Sequence, residues 1–281
     1  MTLDFIKMHG CGNDYIYFDC LKKELDNLSD LAIKLSDRHF SIGGDGIVMI
    51  CPSNVADAKM RMFNIDGSEG KMCGNAIRCV GKYLADNDIV KSDNITIETL
   101  SGIKKLNLHK KNGKVCSVQV NMGKAEFNPE KIPVKVKSNV DKLISYSTKI
   151  DGTDYNITCV CMGNPHCVVF CDDVDSLDLT KLGPKFENND IFPDKVNTEF
   201  VKIIDKNTLQ MRVWERGSGE TMACGTGACA AVVAAVENGF CKKGQDISVE
   251  LLGGILTISY TDEAVFMTGD AVVAFKGKVN I

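Results

Sequence analysis

The sequence predicts an α/β protein of the α+β kind, built as two pseudo-twofold-related domains, each a mixed or antiparallel sheet curled around a central helix. Three observations carry this. The chain repeats itself: an offset of 151 residues places Cys73 on Cys224, Asn13 on Asn164, Arg61 on Arg212, Phe63 on Trp214, Glu69 on Glu220 and Gly74 on Gly225. An offset of 152 then aligns Ile95–Glu98 with Ile247–Glu250 and Gly102-Ile103 with Gly254-Ile255. A repeat this long is a whole domain rather than a solenoid unit, and 281 residues exceed the usual single-domain length. Short apolar runs parted by glycine turns recur in both halves and read as strands. Each half also carries one helical pattern directly after a Cys-Gly pair.

In chain order, a strand over Leu3–Met8 leads through the turn His9–Asn13 into a second strand, Tyr15–Phe18. Leu28, Leu31, Ala32 and Leu35 have helical spacing within Leu28–Asp37, with Asn27 or Ser29 as cap. The glycines at 43, 44 and 46 make a turn before the strand Ile47–Ile50, and Lys59–Asn64 is another strand. A helix begins after Cys73 and runs to about Ala85, followed by strands at Ile95–Glu98, Lys104–Leu108 and Val115–Asn121. The second half repeats the order. It has strands Ile157–Cys161 and His166–Phe170 around the turn at 162–165, a short helical stretch over Val174–Leu182, and strands Phe200–Asp205 and Leu209–Trp214. A helix then spans Thr226 to about Asn238, stopped by Gly239. It is apolar almost all round, the mark of a helix enclosed by its own domain's sheet. The expected domains are 1–121 and 122–269, with a final strand in 270–281 returning to the first; Asn128–Ser138, with Pro129 and Pro133, is the expected link.

Composition narrows the function classes. With 44% hydrophobic and 25% charged residues the chain is an ordinary globular one. A formal net charge of −4 without a dense basic patch argues against nucleic acid. The most apolar run, Ala228–Val236, is too short to span a bilayer, so no membrane partner is expected. The amino terminus shows no basic stretch followed by an apolar core, so the expectation is a cytoplasmic protein whose thirteen cysteines stay reduced.

The duplicated Cys-Gly pairs carry the chemistry. A sulfur at a helix amino terminus meets free backbone N–H groups and the positive dipole end, which favour the thiolate and lower its pKa. The same N–H groups can cradle a carboxylate, and Gly74 and Gly225 let a ligand approach the backbone. Two like groups from a chain built twice can serve opposite faces of one ligand, as a stereoinversion requires. Other readings stand beside this. A Cys-Gly pair at one helix start is usually packing. Cys159, Cys161, His166, Cys167 and Cys171 offer soft ligands for zinc, but without paired Cys-x-x-Cys spacing and on alternating strand faces. A redox dithiol is weaker still, since Cys73 and Cys79 do not form a Cys-x-x-Cys motif.

Six motifs, in order, make the chain similar to the diaminopimelate epimerase family over essentially its whole length. They are His9–Asp14, Arg38–Gly46, Phe63–Glu69, Met72–Cys79, Met162–Cys167 and the stretch Trp214–Glu220 closing with Ala223–Ala230. The resemblance implies a two-base epimerisation of LL- to meso-diaminopimelate in lysine and peptidoglycan precursor synthesis. It further implies a small-molecule substrate, no cofactor (pyridoxal phosphate included), no metal, and a homodimer. By the same resemblance Cys73 and Cys224 exchange the Cα proton, His166 and Glu215 assist the thiols, and Gly74, Asn75, Gly225 and Thr226 cradle the reacting carboxylate. Asn13, Asn64, Asn164, Asn197, Glu215 and Arg216 match substrate-gripping positions. Arginine suits a carboxylate and asparagine an ammonium–carboxylate pair. The bland reading of each asparagine is a turn residue. Many bacterial members carry glutamine where this chain has Gly46, so one side-chain contact to substrate is expected to be missing. Another cofactor-independent amino-acid racemase of the same fold is the nearest rival. Asn64, Asn197 and Arg216 favour a substrate with a second amino-acid head. Because a Cα–H is a very weak acid, the site is expected between the halves, closing to exclude water.

Overall fold

The structure is a computed structural model and describes residues 2–136 and 140–281. It divides into two units, Met1–Asn121 with Thr268–Ile281, and Met122–Met267. The chain leaves the first unit within a strand, not in the proline-containing segment expected as a link. That segment belongs to the second unit, where Ile132 and Val134 are buried in the core and Val136 packs against it. The segment does turn, with the Ile132 N–H donating to the Asn128 carbonyl at 3.1 Å and the Val134 N–H to the Pro129 carbonyl at 2.9 Å, but its apolar side chains anchor it in the core of unit 2; Lys137 and Ser138 lie outside the described residues.

Unit 1 begins with β1 (Thr2–Gly10), β2 (Asn13–Asp19), α1 (Leu28–Ser36), β3 (Gly46–Cys51), β4 (Ala58–Asn64), β5 (Glu69–Gly70), α2 (Gly74–Asp86), β6 (Asn94–Thr99), β7 (Gly102–Lys111) and β8 (Lys114–Gly123). Its sheet runs from the chain's final strand, Val272–Asn280, through β1, β2, β3, β4, β6 and β7 to β8, with β2–β3 and β4–β6 parallel. α1 packs on β3 and β4, burying Leu31 and Leu35 against a face that includes Ile16, Phe18, Ile47 and Met49. α2 packs on β1, β2, β6 and β7, and alternation along β2 turns Tyr17 toward it, where the Tyr17 hydroxyl donates to the Ala76 carbonyl. Coverage of both faces is why β3 is buried at every position and reads as an unbroken apolar run.

Unit 2 holds β9 (Tyr146–Ile150), β10 (Thr153–Cys161), β11 (Pro165–Phe170), α3 (Leu179–Glu187), β12 (Asn197–Asp205), β13 (Thr208–Glu215), β14 (Gly219–Glu220), α4 (Gly225–Glu237), β15 (Asp246–Leu251) and β16 (Gly254–Tyr260). β17 (Val265–Asp270) carries the chain back to unit 1, and β18 is the final strand named above. The sheet order is β9-β10-β11-β12-β13-β15-β16, with β11–β12 and β13–β15 parallel, as in their counterparts β2–β3 and β4–β6. From β10 onward the element order copies that of unit 1. α4 packs on β10, β11, β12, β13, β15 and β16, and Gly227 through Ala235 are all buried, as its all-round apolar surface predicts. The mixed α/β class expected from the sequence is present in each unit.

Two elements differ from expectation. The helix placed at Val174–Leu182 forms later, at Leu179–Glu187, because Asp178 caps it by accepting from the Lys181 N–H at 3.3 Å. Pro184 inside that helix hides its second turn from a sequence reading. The edge strand beside β10 is β9, joined to it by a hairpin, whereas the edge strand beside β1 is the chain's final strand β18; the hairpin turns at Asp151-Gly152, both at positive φ (48° and 80°).

Candidate active site

Each expected catalytic cysteine is the residue that caps the central helix of its unit. In unit 1 the extended backbone of Cys73 (φ −134°) turns its sulfur back over the first turn of α2, and the Ala76 N–H donates to Sγ at 3.5 Å. The thiol donates in turn to Asn13 Oδ1 at 3.3 Å, which also accepts from Asn75 Nδ2 at 3.3 Å. Asn13 is presented by the turn between β1 and β2, where Cys11 and Gly12 both take positive φ (52° and 78°). Its amide is held from the other side, since Asn13 Nδ2 donates to Asp45 Oδ2 at 2.7 Å. Asp45 is fixed by Arg38 at 3.0 Å and by the Asp14 N–H at 3.0 Å. Asp14 is clamped by Arg38 and by the buried ammonium of Lys7, each at 2.6 Å. Charges anchor the support while the group meeting the thiol is a neutral amide oxygen. Gly74 opens α2, and its carbonyl accepts from the fully buried Arg78 at 3.1 Å.

Asn64 stands at the β4–β5 turn, where its Nδ2 donates to Ser68 Oγ at 3.0 Å. Gly46 is a built-in exclusion. Its φ is +154°, and a Cβ there would lie 2.0 Å from the Phe63 carbonyl oxygen and 2.9 Å from Tyr15 Cε1. The side chain missing at this position has no room on this backbone.

In unit 2 the Cys224 sulfur takes the matching place over α4, accepting from the Gly227 N–H at 3.3 Å and lying 3.5 Å from Thr226 Oγ1. Its surroundings are of another kind. Burial pushes the Cys224 thiol well above its ordinary value, and the carboxylates of Glu215 and Glu199 push the same way, against Thr226 and the Gly227 N–H. The expectation that a helix start lowers the pKa is therefore corrected for Cys224: burial beside two carboxylates outweighs the helix N–H groups. Burial also raises the Glu215 carboxyl, opposed by hydrogen bonds with Thr221 and Cys224; the Thr221 hydroxyl donates to Glu215 Oε1 at 2.5 Å.

His166, fully buried on β11, has Nδ1 2.7 Å from Glu199 Oε1 and Nε2 2.9 Å from Asn164 Oδ1. Asn197 Nδ2 donates to the Pro165 carbonyl at 2.8 Å, and Asn197 Oδ1 accepts from the Arg216 N–H at 2.9 Å. The Arg216 guanidinium reaches the Asp194 carbonyl at 2.9 Å. The structure thus gathers Asn13, Cys73 and Asn75 in unit 1. In unit 2 it gathers Asn164, His166, Glu215, Cys224 and Thr226, with Asn197 and Arg216 joined beside them.

Known proteins resemble the chain at two levels. The model of the diaminopimelate epimerase family matches residues 5–128 and 158–274. The chain belongs to the diaminopimelate epimerase family. A diaminopimelate epimerase of Acetivibrio thermocellus is 52% identical over 99% of this chain and 98% of its own length. One of Desulfovibrio desulfuricans is 50% identical over 100% and 99%. A Bacillus anthracis phenazine biosynthesis protein of the PhzF family aligns over 100% of both chains with a TM-score of 0.70 at 17% identity, a likeness of fold alone.

In this member of the diaminopimelate epimerase family Cys159 of β10 and Cys167 of β11 are core. Cys159 and Cys167 lie side by side in register among the apolar residues facing α3, while alternation turns His166 to the other face. Among the described residues no group of three or more His, Cys, Asp or Glu is gathered as for a metal ion. Sequence reasoning missed Glu199, Lys7, Asp14, Arg38 and Asp45 as site-supporting residues. Glu199 carried a signal: it is a charge directly before the apolar pair Phe200-Val201, and the repeat aligns it with Val48.

Proposed function

We propose that this chain interconverts LL- and meso-2,6-diaminopimelate, with Cys73 and Cys224 as the two proton-transfer groups and no cofactor. The observation that carries the reading is the same cap built twice: a cysteine sulfur facing the first backbone N–H groups of the central helix of each unit. One thiolate takes the Cα proton while the other group, as thiol, returns a proton from the opposite face. Helix amino termini suit the carboxylate, whose charge grows as the carbanion becomes enolate-like.

The unlike surroundings support a direction of roles. Cys224, raised by burial and by Glu215 and Glu199, starts as the acid, and Cys73 starts as the base; the reverse reaction exchanges them. Asn13 and Asn75 beside Cys73, and Asn164, His166 and Thr226 beside Cys224, supply donors and acceptors for an ammonium–carboxylate head. Asn64, Asn197 and Arg216 suit the second amino-acid head, which sets this substrate apart from single amino acids. We further read the enzyme as a cytoplasmic homodimer acting in lysine and peptidoglycan precursor synthesis. The thirteen free thiols support a reducing compartment, and among the described residues no helix is long and apolar enough to cross a membrane.

The test is solvent deuterium incorporation at Cα of LL-diaminopimelate, set beside a panel of single amino acids including proline, in the presence of chelator. Exchange confined to diaminopimelate and insensitive to chelator is the expected result. No exchange into diaminopimelate would sink the proposal.

A further inference from the structure

Glu199 is a carboxylate that the fold does not require. Its side chain is fully buried, one oxygen meets His166 Nδ1 at 2.7 Å, and the other, Oε2, has no hydrogen-bond partner among the described residues. A half-satisfied buried carboxylate costs stability rather than supplying it. The other copy folds the same strand pair without it. Register places Val168 opposite Glu199 in unit 2 and Tyr17 opposite Val48 in unit 1, so the 151-residue offset aligns Glu199 with Val48 and His166 with Tyr15.

A second position also differs between the two copies. The repeat aligns Ala76 in α2 with Gly227 in α4. A Cβ on Gly227 would lie 2.7 Å from Glu199 Oε1 and 3.2 Å from Cys224 Sγ. The carboxylate therefore occupies space over the first turn of α4 that unit 1 gives to a methyl group. Glycine at 227 makes room for a charge whose hydrogen bond goes to His166.

We propose that Glu199 is a positioning residue for the epimerisation, acting through His166. Accepting from Nδ1–H, it fixes the ring's orientation and keeps Nε2 turned toward Asn164, the side on which the ring serves the substrate. The same logic of an oriented imidazole recurs wherever a carboxylate holds a working histidine. The proposal rests on the placing of His166 in the active site, so the two must be tested apart.

Three variants and one measurement on the unaltered enzyme do this. Glu199→Gln keeps the shape but lets an amide donate to Nδ1, and kcat is expected to fall about 10- to 100-fold with KM little changed. Glu199→Val restores the unit 1 arrangement and should lose kcat similarly while melting no lower than the parent. His166→Gln should lose at least as much. In the ¹⁵N-labelled parent enzyme, a downfield, exchange-protected Nδ1–H resonance of His166 is expected, absent from Glu199→Gln. Loss of activity in His166→Gln with a parental kcat and pH profile in Glu199→Gln overturns this proposal and leaves the site reading standing. Parental activity in His166→Gln overturns both. A kcat loss that only tracks loss of folded protein, or a parent enzyme lacking the protected resonance, also overturns it.

Discussion

In unit 1 the thiol at the start of α2 donates to the neutral amide of Asn13; in unit 2 the thiol at the start of α4 lies beside the carboxylates of Glu215 and Glu199. The backbone setting is the same in both, an extended N-cap with its sulfur accepting from the N–H three residues on. The differences sit on matched positions, three on strands and one in the first turn of the helix: Tyr15, Gly46, Val48 and Ala76 in one copy, His166, Asn197, Glu199 and Gly227 in the other. On the proposed reading, the duplicated frame places two sulfurs, and the unlike side chains around them separate an acid from a base. A pair of identical thiols in identical surroundings would share one protonation preference, whereas proton relay needs one of each.

The largest effect that could break this contrast is loss of either sulfur. Cys73→Ala and Cys224→Ala should each lower epimerisation by at least about 10³-fold, with far-UV circular dichroism unchanged. Turnover near the parent in either would remove the two-thiol reading. Next in size is an attempt to make copy 1 resemble copy 2 with Gly46→Asn. The Phe63 carbonyl stands where the new Cβ must go, so urea unfolding should show a loss of about 3 kcal/mol or more. An unchanged midpoint would mean that the β2–β3 end is free to adjust.

The contrast in protonation is sharpened by Glu215→Gln. Removing one of the carboxylates that raise Cys224 should bring its thiol pKa down, so alkylation of Cys224 by iodoacetamide, followed by mass spectrometry, begins at lower pH than in the parent. In the parent, Cys73 should be modified first at neutral pH. Preferential labelling of Cys224 there would reverse the assigned roles.

The smallest effect concerns Glu187, aligned by the repeat with Ser36 of unit 1. Burial pushes its carboxyl up, but hydrogen bonds from Trp214, the Gly217 N–H and Lys195 outweigh this and leave it below the ordinary value. A folded pKa below the unfolded one contributes stability that is present above the unfolded value, about 4.3, and fades as pH falls through the folded one. Glu187→Gln should therefore cost about 1 to 2 kcal/mol at pH 7 and flatten the acid side of the stability profile. A parental acid limb would show that the carboxyl is not paired in solution.

Much of this frame was legible in the chain because the evidence for it is local or periodic. Cys-Gly pairs at a fixed offset mark the helix starts, and the all-apolar run Ala228–Val236 can only be an enclosed helix. What escaped depends on partners far away in sequence. Lys7 sits in the strand predicted at Leu3–Met8, but nothing in its neighbours says that it pairs with Asp14 across a turn. Glu199 reads as a stray charge until β11 places His166 against it. The raised Cys224 thiol could not be foreseen from a helix start, because burial and the approach of Glu215 from the end of β13 and Glu199 from β12 decide it. The β9–β10 hairpin, by contrast, has a local signal in Asp151-Gly152.

The pairing of β18 with β1, from Thr2↔Asn280 to His9↔Val272, also sets an order of assembly on the ribosome. Unit 2 is one continuous stretch, Met122–Met267, and has all its strands as soon as that stretch has emerged. Unit 1 is synthesised first, yet the outer neighbour of its opening strand arrives about 270 residues later. Until then the nascent chain carries β1 as a bare edge, open to wrong pairing with other chains. The half synthesised first is thus the last to be finished, and a chain cut short before the closing strand would carry a completed second unit tethered to an unclosed first.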